Sequence, residues 1–128
     1  MRGRIYIGTS LHNIKRANEL QARFIESGCE ITYDWTAHGQ VYSEKELAAY
    51  GIEEEAGVRN ADVFFMVFPA RFGSHFEMGL AHGLGVKIVL LIEQEQEKKT
   101  FYYLPGVSRF TDENEAVFHT LKYLDNRK

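Results

Sequence analysis

The chain has 128 residues, of which 45% are hydrophobic and 26% charged, with a formal net charge of −3. That length predicts one domain over 1–128, able to bury roughly two thirds of the surface that its unfolded form exposes. The negative charge gives no reason to expect nucleic acid or an anionic membrane as a partner. The longest apolar runs, Val63 to Pro69 and Ile88 to Ile92, are too short to cross a bilayer. The first residues lack the apolar stretch of a signal peptide. Cys29 is the one cysteine, so no internal disulfide forms, and the expected location is cytoplasmic.

Arg4 to Gly8 is β-rich and predicts a first strand, broken by Gly8-Thr9-Ser10. From Leu11, apolar residues recur at Ile14, Ala17, Leu20, Phe24 and Ile25, a helical spacing that Ser27-Gly28 stops. Cys29 to Tyr33 reads as a short second strand, and Asp34 to Tyr42 as a loop holding Trp35, His38 and Gly39. Ser43-Glu44-Lys45-Glu46 is a capping-box pattern that opens a second helix, running to about Arg59 and weakened by Gly51 and Gly57. Asp62 to Phe68 is apolar without alternation, which predicts a strand buried on both faces. Pro69 to Gly73 is a loop, and a third helix is expected from about Ser74 to Leu84, ended by Gly85. Lys87 to Ile92 predicts a fourth buried strand, and Glu93 to Lys99 a solvated loop or a lid. Phe101 to Phe110 holds one weak strand, and Asp112 opens a last helix to about Leu124.

This order of elements implies an α/β fold, a mainly parallel five-stranded sheet with helices on both faces. Such sheets bind ligands beyond the carboxyl ends of their strands, at the switch point. Those ends are Gly8-Thr9-Ser10, Asp34-Trp35-Thr36, Pro69 to Gly73, and Glu93 onward.

Glu77 is expected in the first turn of the third helix, at that edge, after a glycine, Gly73, that permits a sharp turn and a close approach. Two readings fit it. Ser74 and Glu77 stand three apart, as in a capping box. That spacing by itself favours the cap, but a carboxylate facing the cleft can also attack an electrophilic carbon such as the anomeric carbon of a sugar. Glu53, Glu54 and Glu55 form either a solvated face or a run with one member turned to the cleft. Tyr6, inside the first strand, is either core or a partner for a catalytic carboxylate, since a buried hydroxyl needs one. Gly8, Thr9 and Ser10 precede a helix and offer N–H groups and hydroxyls to a phosphate, but they are neither a P-loop nor a dinucleotide fingerprint. Trp35 either stacks on a base or covers a core edge. Arg71 either binds an anion or is solvated. The five histidines show no metal-ligand spacing with Cys29 or one another, so no metal is predicted.

With these residues in view, the chain resembles the nucleoside 2-deoxyribosyltransferases and their relatives, the deoxynucleoside monophosphate N-hydrolases. The resemblance covers nearly the whole chain in element order. It is carried by Ile5-Tyr6-Ile7-Gly8, by Asn60-Ala61-Asp62-Val63, and by Gly73-Ser74-His75-Phe76-Glu77-Met78-Gly79-Leu80-Ala81. The last of these is similar to the family's Gly-x-x-x-Glu-x-Gly-x-Ala, followed by Gly85-x-Lys87. The resemblance implies a flavodoxin-like three-layer sandwich, Glu77 as nucleophile, Tyr6 as the active-site tyrosine, and no cofactor. It also implies a nucleoside or nucleotide substrate, and a homodimer or larger assembly in which a neighbouring subunit completes the site. The family's acid eight residues before the third-strand aspartate falls on Glu54, where Asp is common. Arg71 stands where transferases often carry Asp. Gly73, Ser74 and His75 join Ser10 and Arg71 as candidates for the sugar or phosphate end. Two other classes stay open: a Toll/interleukin-receptor-like domain that cleaves or senses NAD, and a non-catalytic nucleotide-binding module.

Overall fold

Five short strands, β1 (Gly3–Gly8), β2 (Cys29–Ile31), β3 (Val63–Val67), β4 (Lys87–Leu91) and β5 (Val107–Phe110), form one sheet in the order β2-β1-β3-β4-β5. The computed structural model describes residues 1–41 and 43–127; Tyr42, at the end of the predicted loop, and Lys128 lie outside them. All four strand pairings are parallel, so the sheet is fully rather than mainly parallel. β3 is buried along its whole length, because helices cover both of its faces. Four helices connect and flank the strands: α1 (Ile14–Glu26), α2 (Glu44–Arg59), α3 (Phe72–Gly83) and α4 (Glu113–Asn126).

α2 packs beside α3. α1 and α4 are joined by ion pairs, with Arg16 at 2.9 Å and Arg23 at 2.6 Å from the two oxygens of Glu113. Arg16 also meets Glu93, just after β4, at 2.6 Å. The chain moves outward from β1 to β2, then crosses back over β1 to β3. The β1–β3 boundary is therefore the switch point, where the connections diverge and leave a crevice.

Local chemistry explains most element ends. Ser43 and Asp112 cap α2 and α4 by accepting from the backbone N–H of Glu46 and Glu115. Three departures from the sequence reading matter. The segment from Asp34 contains a 3-10 turn, Trp35–His38. Ile25 is exposed and Gln21 takes the inward position on α1. α3 starts at Phe72, two residues before the expected Ser74, with Arg71 as an N-cap that has no side-chain bond. Ser74 is thus a buried residue inside the helix, 4% exposed, and Glu77 lies in the second turn rather than the first. A Ser-x-x-Glu spacing is also the i, i+3 spacing of a continuous helix face, so the pattern alone does not separate cap from interior.

Candidate active site

The register of β1 and β3 sets the floor of the crevice. Tyr6 pairs with Phe64 and Gly8 with Met66, and the rings of Tyr6 and Phe64 stack at 5.9 Å. Beyond the strand ends the two following loops are tied together. The Thr9 hydroxyl donates to the Val67 carbonyl at 2.7 Å, and the Ser10 N–H donates to Pro69 O at 3.4 Å. Asn13 Nδ2 in turn donates to Thr9 Oγ1 at 3.2 Å. Thr9 and Ser10 are both buried, and Ser10 Oγ accepts from the His12 N–H.

Glu77 descends from α3 into this floor. The Tyr6 hydroxyl donates to Glu77 Oε2 at 2.5 Å, a short, charge-assisted geometry. The other oxygen, Oε1, lies 3.5 Å from where a Cβ on Gly8 would stand, an ordinary contact distance that places it beside Gly8. A side chain at Gly8 would also meet Phe64 Cζ at 2.7 Å. One carboxylate oxygen is thus held by Tyr6, and the other lies over Gly8.

Burial dominates the electrostatics. It pushes the Glu77 carboxyl up to about 7; the hydrogen bond from Tyr6 opposes this and the charge of Glu54 adds to it. Burial likewise raises the Tyr6 hydroxyl, as do the charge and hydrogen bond of Glu77, so Tyr6 stays a donor. Glu54, on α2, is raised by burial, with His38 opposing. Three groups from β1, α2 and α3 thus act on one another, and burial favours the protonated form of both carboxyls.

His38 is the group that the sequence reading gave no role. Its Nε2 meets the Tyr33 hydroxyl in a short hydrogen bond, and its ring stacks on Tyr50 with centroids 3.8 Å apart. The Trp35–His38 turn lays this imidazole against α2, within electrostatic reach of Glu54. No sequence spacing signals it, because Tyr33, His38 and Tyr50 meet only when the turn folds onto the helix.

The remaining candidates are spread around this centre. Trp35 is buried, and its Nε1 donates to the Ile7 carbonyl at 2.6 Å, so it closes the edge of the core beside β1. Arg71 is exposed at the start of α3 and, among the described residues, forms no ion pair. Gly73 is exposed, with open space around it. His75 is tied elsewhere. Its Nδ1 donates to the Arg71 carbonyl at 2.8 Å, and in the neutral ring Nε2 accepts from the Tyr102 hydroxyl at 2.7 Å. It therefore anchors the Thr100–Tyr103 turn to the start of α3. Among the described residues no three His, Cys, Asp or Glu side chains are grouped to hold a metal ion, and no helix is long and apolar enough to cross a membrane.

The fold and site define a flavodoxin-like, all-parallel α/β sandwich with a tyrosine-bound carboxylate at its switch point. Solved structures share this fold, two of them as follows. The CMP N-glycosidase of Clostridium botulinum matches with a TM-score of 0.64 at 20% identity, over 95% of this chain and 98% of that one. The 2-deoxyribosyltransferase of Bacillus psychrosaccharolyticus matches with a TM-score of 0.62 at 13% identity, over 98% of this chain and 92% of that one. No family model matches the sequence, and no curated protein matches it.

Proposed function

We propose that this chain, as one domain, is an enzyme that cleaves or transfers at the N-glycosidic bond of a nucleoside or deoxynucleoside or its 5′-monophosphate, with Glu77 as nucleophile. The observation that carries this reading is the Tyr6–Glu77 pair, with one carboxylate oxygen bound at 2.5 Å and the other directed over Gly8 at the carboxyl edge of the sheet. The CMP N-glycosidase and the 2-deoxyribosyltransferase that share the fold act on bonds of this class.

The chemistry follows from the geometry. Ionised Glu77 attacks the anomeric carbon through Oε1, and a C–O bond forms as the C–N bond breaks. The base leaves with the electron pair and takes a proton from Glu54, whose burial favours its protonated form. Tyr6 holds Oε2 and orients the carboxylate. Water or a second base then attacks the anomeric carbon of the glycosyl ester, gives up a proton to the Glu54 carboxylate and releases ionised Glu77. Ser10, Ser74 and the exposed cation Arg71 are the groups proposed for the sugar hydroxyl or phosphate end. Incubation with a panel of deoxynucleosides and their monophosphates, with and without a second free base, tests this by chromatography. Base release or base exchange is expected. Nicotinamide release from NAD with no deoxynucleoside turnover would select the Toll/interleukin-receptor-like reading instead. Tight nucleotide binding without turnover would select the binding module.

The assembly implied by the family resemblance has a matching surface. Phe72, Phe76 and Phe101 are 94%, 73% and 67% exposed and line one apolar groove with Met78, Gly79 and Leu104. Three such rings present roughly 400–500 Å² of apolar area, at the upper end of what a monomer carries. A second copy placed on the same groove by a two-fold axis would bury about 1,000 Å² in all, the lower bound of a specific interface. Wild-type protein is expected to elute at twice the chain mass in light-scattering chromatography, and Phe72→Glu/Phe76→Glu as a monomer. A monomeric wild type at micromolar concentration would contradict this.

A further inference from the structure

Gly57 is a buried position of α2, facing Tyr33 and the β1 residue Tyr6. A Cβ there would stand 2.8 Å from Tyr33 Cβ and 3.0 Å from both Tyr6 Cδ2 and Tyr6 Cε2. Real Cβ atoms do not approach neighbours that closely without displacing them, and Tyr33 Cβ is fixed by its own backbone. The Tyr6 ring would have to shift by a few tenths of an ångström; it stacks on Phe64, and the tip of Phe64 lies under Gly8, 2.7 Å from where a Cβ would stand. Gly57, Tyr6, Phe64 and Gly8 thus form a packed row with a glycine at each end. Glu77 spans its far side, with Oε2 on the Tyr6 hydroxyl and Oε1 over Gly8. The Thr32 hydroxyl donates to the Gly57 carbonyl at 2.7 Å and pins this point of α2 to the chain just after β2. Glu54 lies one helical turn before Gly57, on the same face.

We propose that Gly57 is a positioning residue: its missing side chain lets α2 seat against the Tyr6 ring, and this seat sets where Tyr6 and Glu54 stand relative to Glu77. A helix-interior glycine costs stability relative to alanine, so the seat, not the helix, accounts for it. Gly51, on the same helix, has open space where its Cβ would go and serves as the control.

The inference rests on the proposed function only for its rate readout. The other readout is the titration of Glu77, followed by carboxyl carbon NMR on protein labelled at glutamate, with the signal assigned by its loss in Glu77→Gln. The groups facing Glu77 are Tyr6 from β1 and Glu54 from α2, with His38 acting on Glu54. Gly57→Ala displaces the Tyr6 hydroxyl from Oε2 and weakens the bond that favours the ionised carboxylate. Its midpoint is expected to rise by about half a pH unit or more. Turnover at pH 7 is expected to fall by about 10- to 100-fold, mainly in kcat, the scale of a small misplacement. Gly51→Ala should leave midpoint and turnover at wild-type values. A folded Gly57→Ala with the wild-type midpoint overturns the proposal. If Gly57→Ala does not fold, Thr32→Val loosens the same seat, and an unmoved Glu77 midpoint in that variant overturns it equally. A shifted midpoint in a protein that cleaves no N-glycosidic bond leaves the seat standing and removes the proposed function.

Discussion

Glu77→Gln is expected to abolish base release while making the protein more stable at pH 8. The first effect is the loss of the proposed nucleophile: an amide oxygen does not form the glycosyl ester, and the expected drop is about 10⁴-fold or more. The second follows from burial. In the folded chain the Glu77 carboxyl is raised from 4.5 to about 7. The folded form therefore holds its proton more tightly than the unfolded form between those values. The associated stability is complete below about pH 4.5 and is lost as pH rises through about 7. Above that the fold carries a part-buried anion at a cost of up to about 3 kcal/mol. Glutamine fills the same space, accepts from the Tyr6 hydroxyl and carries no charge. Urea unfolding should show the variant more stable than wild type at pH 8 and equal to it near pH 4.5. Equal stability at both pH values would show that Glu77 does not carry the part-buried charge described above.

Tyr6→Phe is expected to move the acid limb of the pH–rate profile upward. In the wild type, kcat/KM should rise with pH through about 7, because the proposed attack needs Glu77 ionised. The Tyr6 hydroxyl is the one neighbour that lowers this value, and burial and Glu54 both raise it. Removing a hydrogen bond to a charged group removes about 1.5–3 kcal/mol. That corresponds to about one to two pH units. The midpoint of the variant should therefore lie near pH 8 to 9, with turnover at pH 7 reduced by about 5- to 50-fold. A midpoint at or below that of the wild type would mean that Tyr6 does not hold the ionised carboxylate.

Much of this arrangement is legible in the sequence because it depends on local patterns. β3 and β4 lie in unbroken apolar runs, which occur when both faces of a parallel strand are covered. The caps of α2 and α4 are written in Ser43 and Asp112. The alternation of strands and helices prescribes a parallel sheet, and with it the edge where Tyr6, Gly8 and Glu77 meet.

The rest is not local. Ser74 and Glu77 have the spacing of a cap, yet α3 begins at Phe72, and nothing in the spacing distinguishes the two. Gly57 looks like a weak point in a helix; only the packed α2 shows the Tyr6 ring where its side chain would be. Tyr33, His38 and Tyr50 come from a strand end, a turn and a helix, so their cluster exists only in the tertiary structure. On α1 the apolar spacing points to Ile25, yet Gln21 is the buried residue. Hydrogen bonding does not explain that exchange, since Gln21 Nε2 is without a partner among the described residues.

The central claim is that Glu77 forms a covalent bond to the sugar. The most direct measurement is rapid acid quenching during turnover of the deoxynucleoside or deoxynucleotide that the panel selects, followed by peptide mass mapping. The peptide that contains Glu77 is expected to gain the mass of the deoxyribosyl group, or of its 5′-phosphate, and to lose it when water or a second base is allowed to complete the reaction. Turnover with that peptide unmodified throughout and the adduct on another residue would contradict the account.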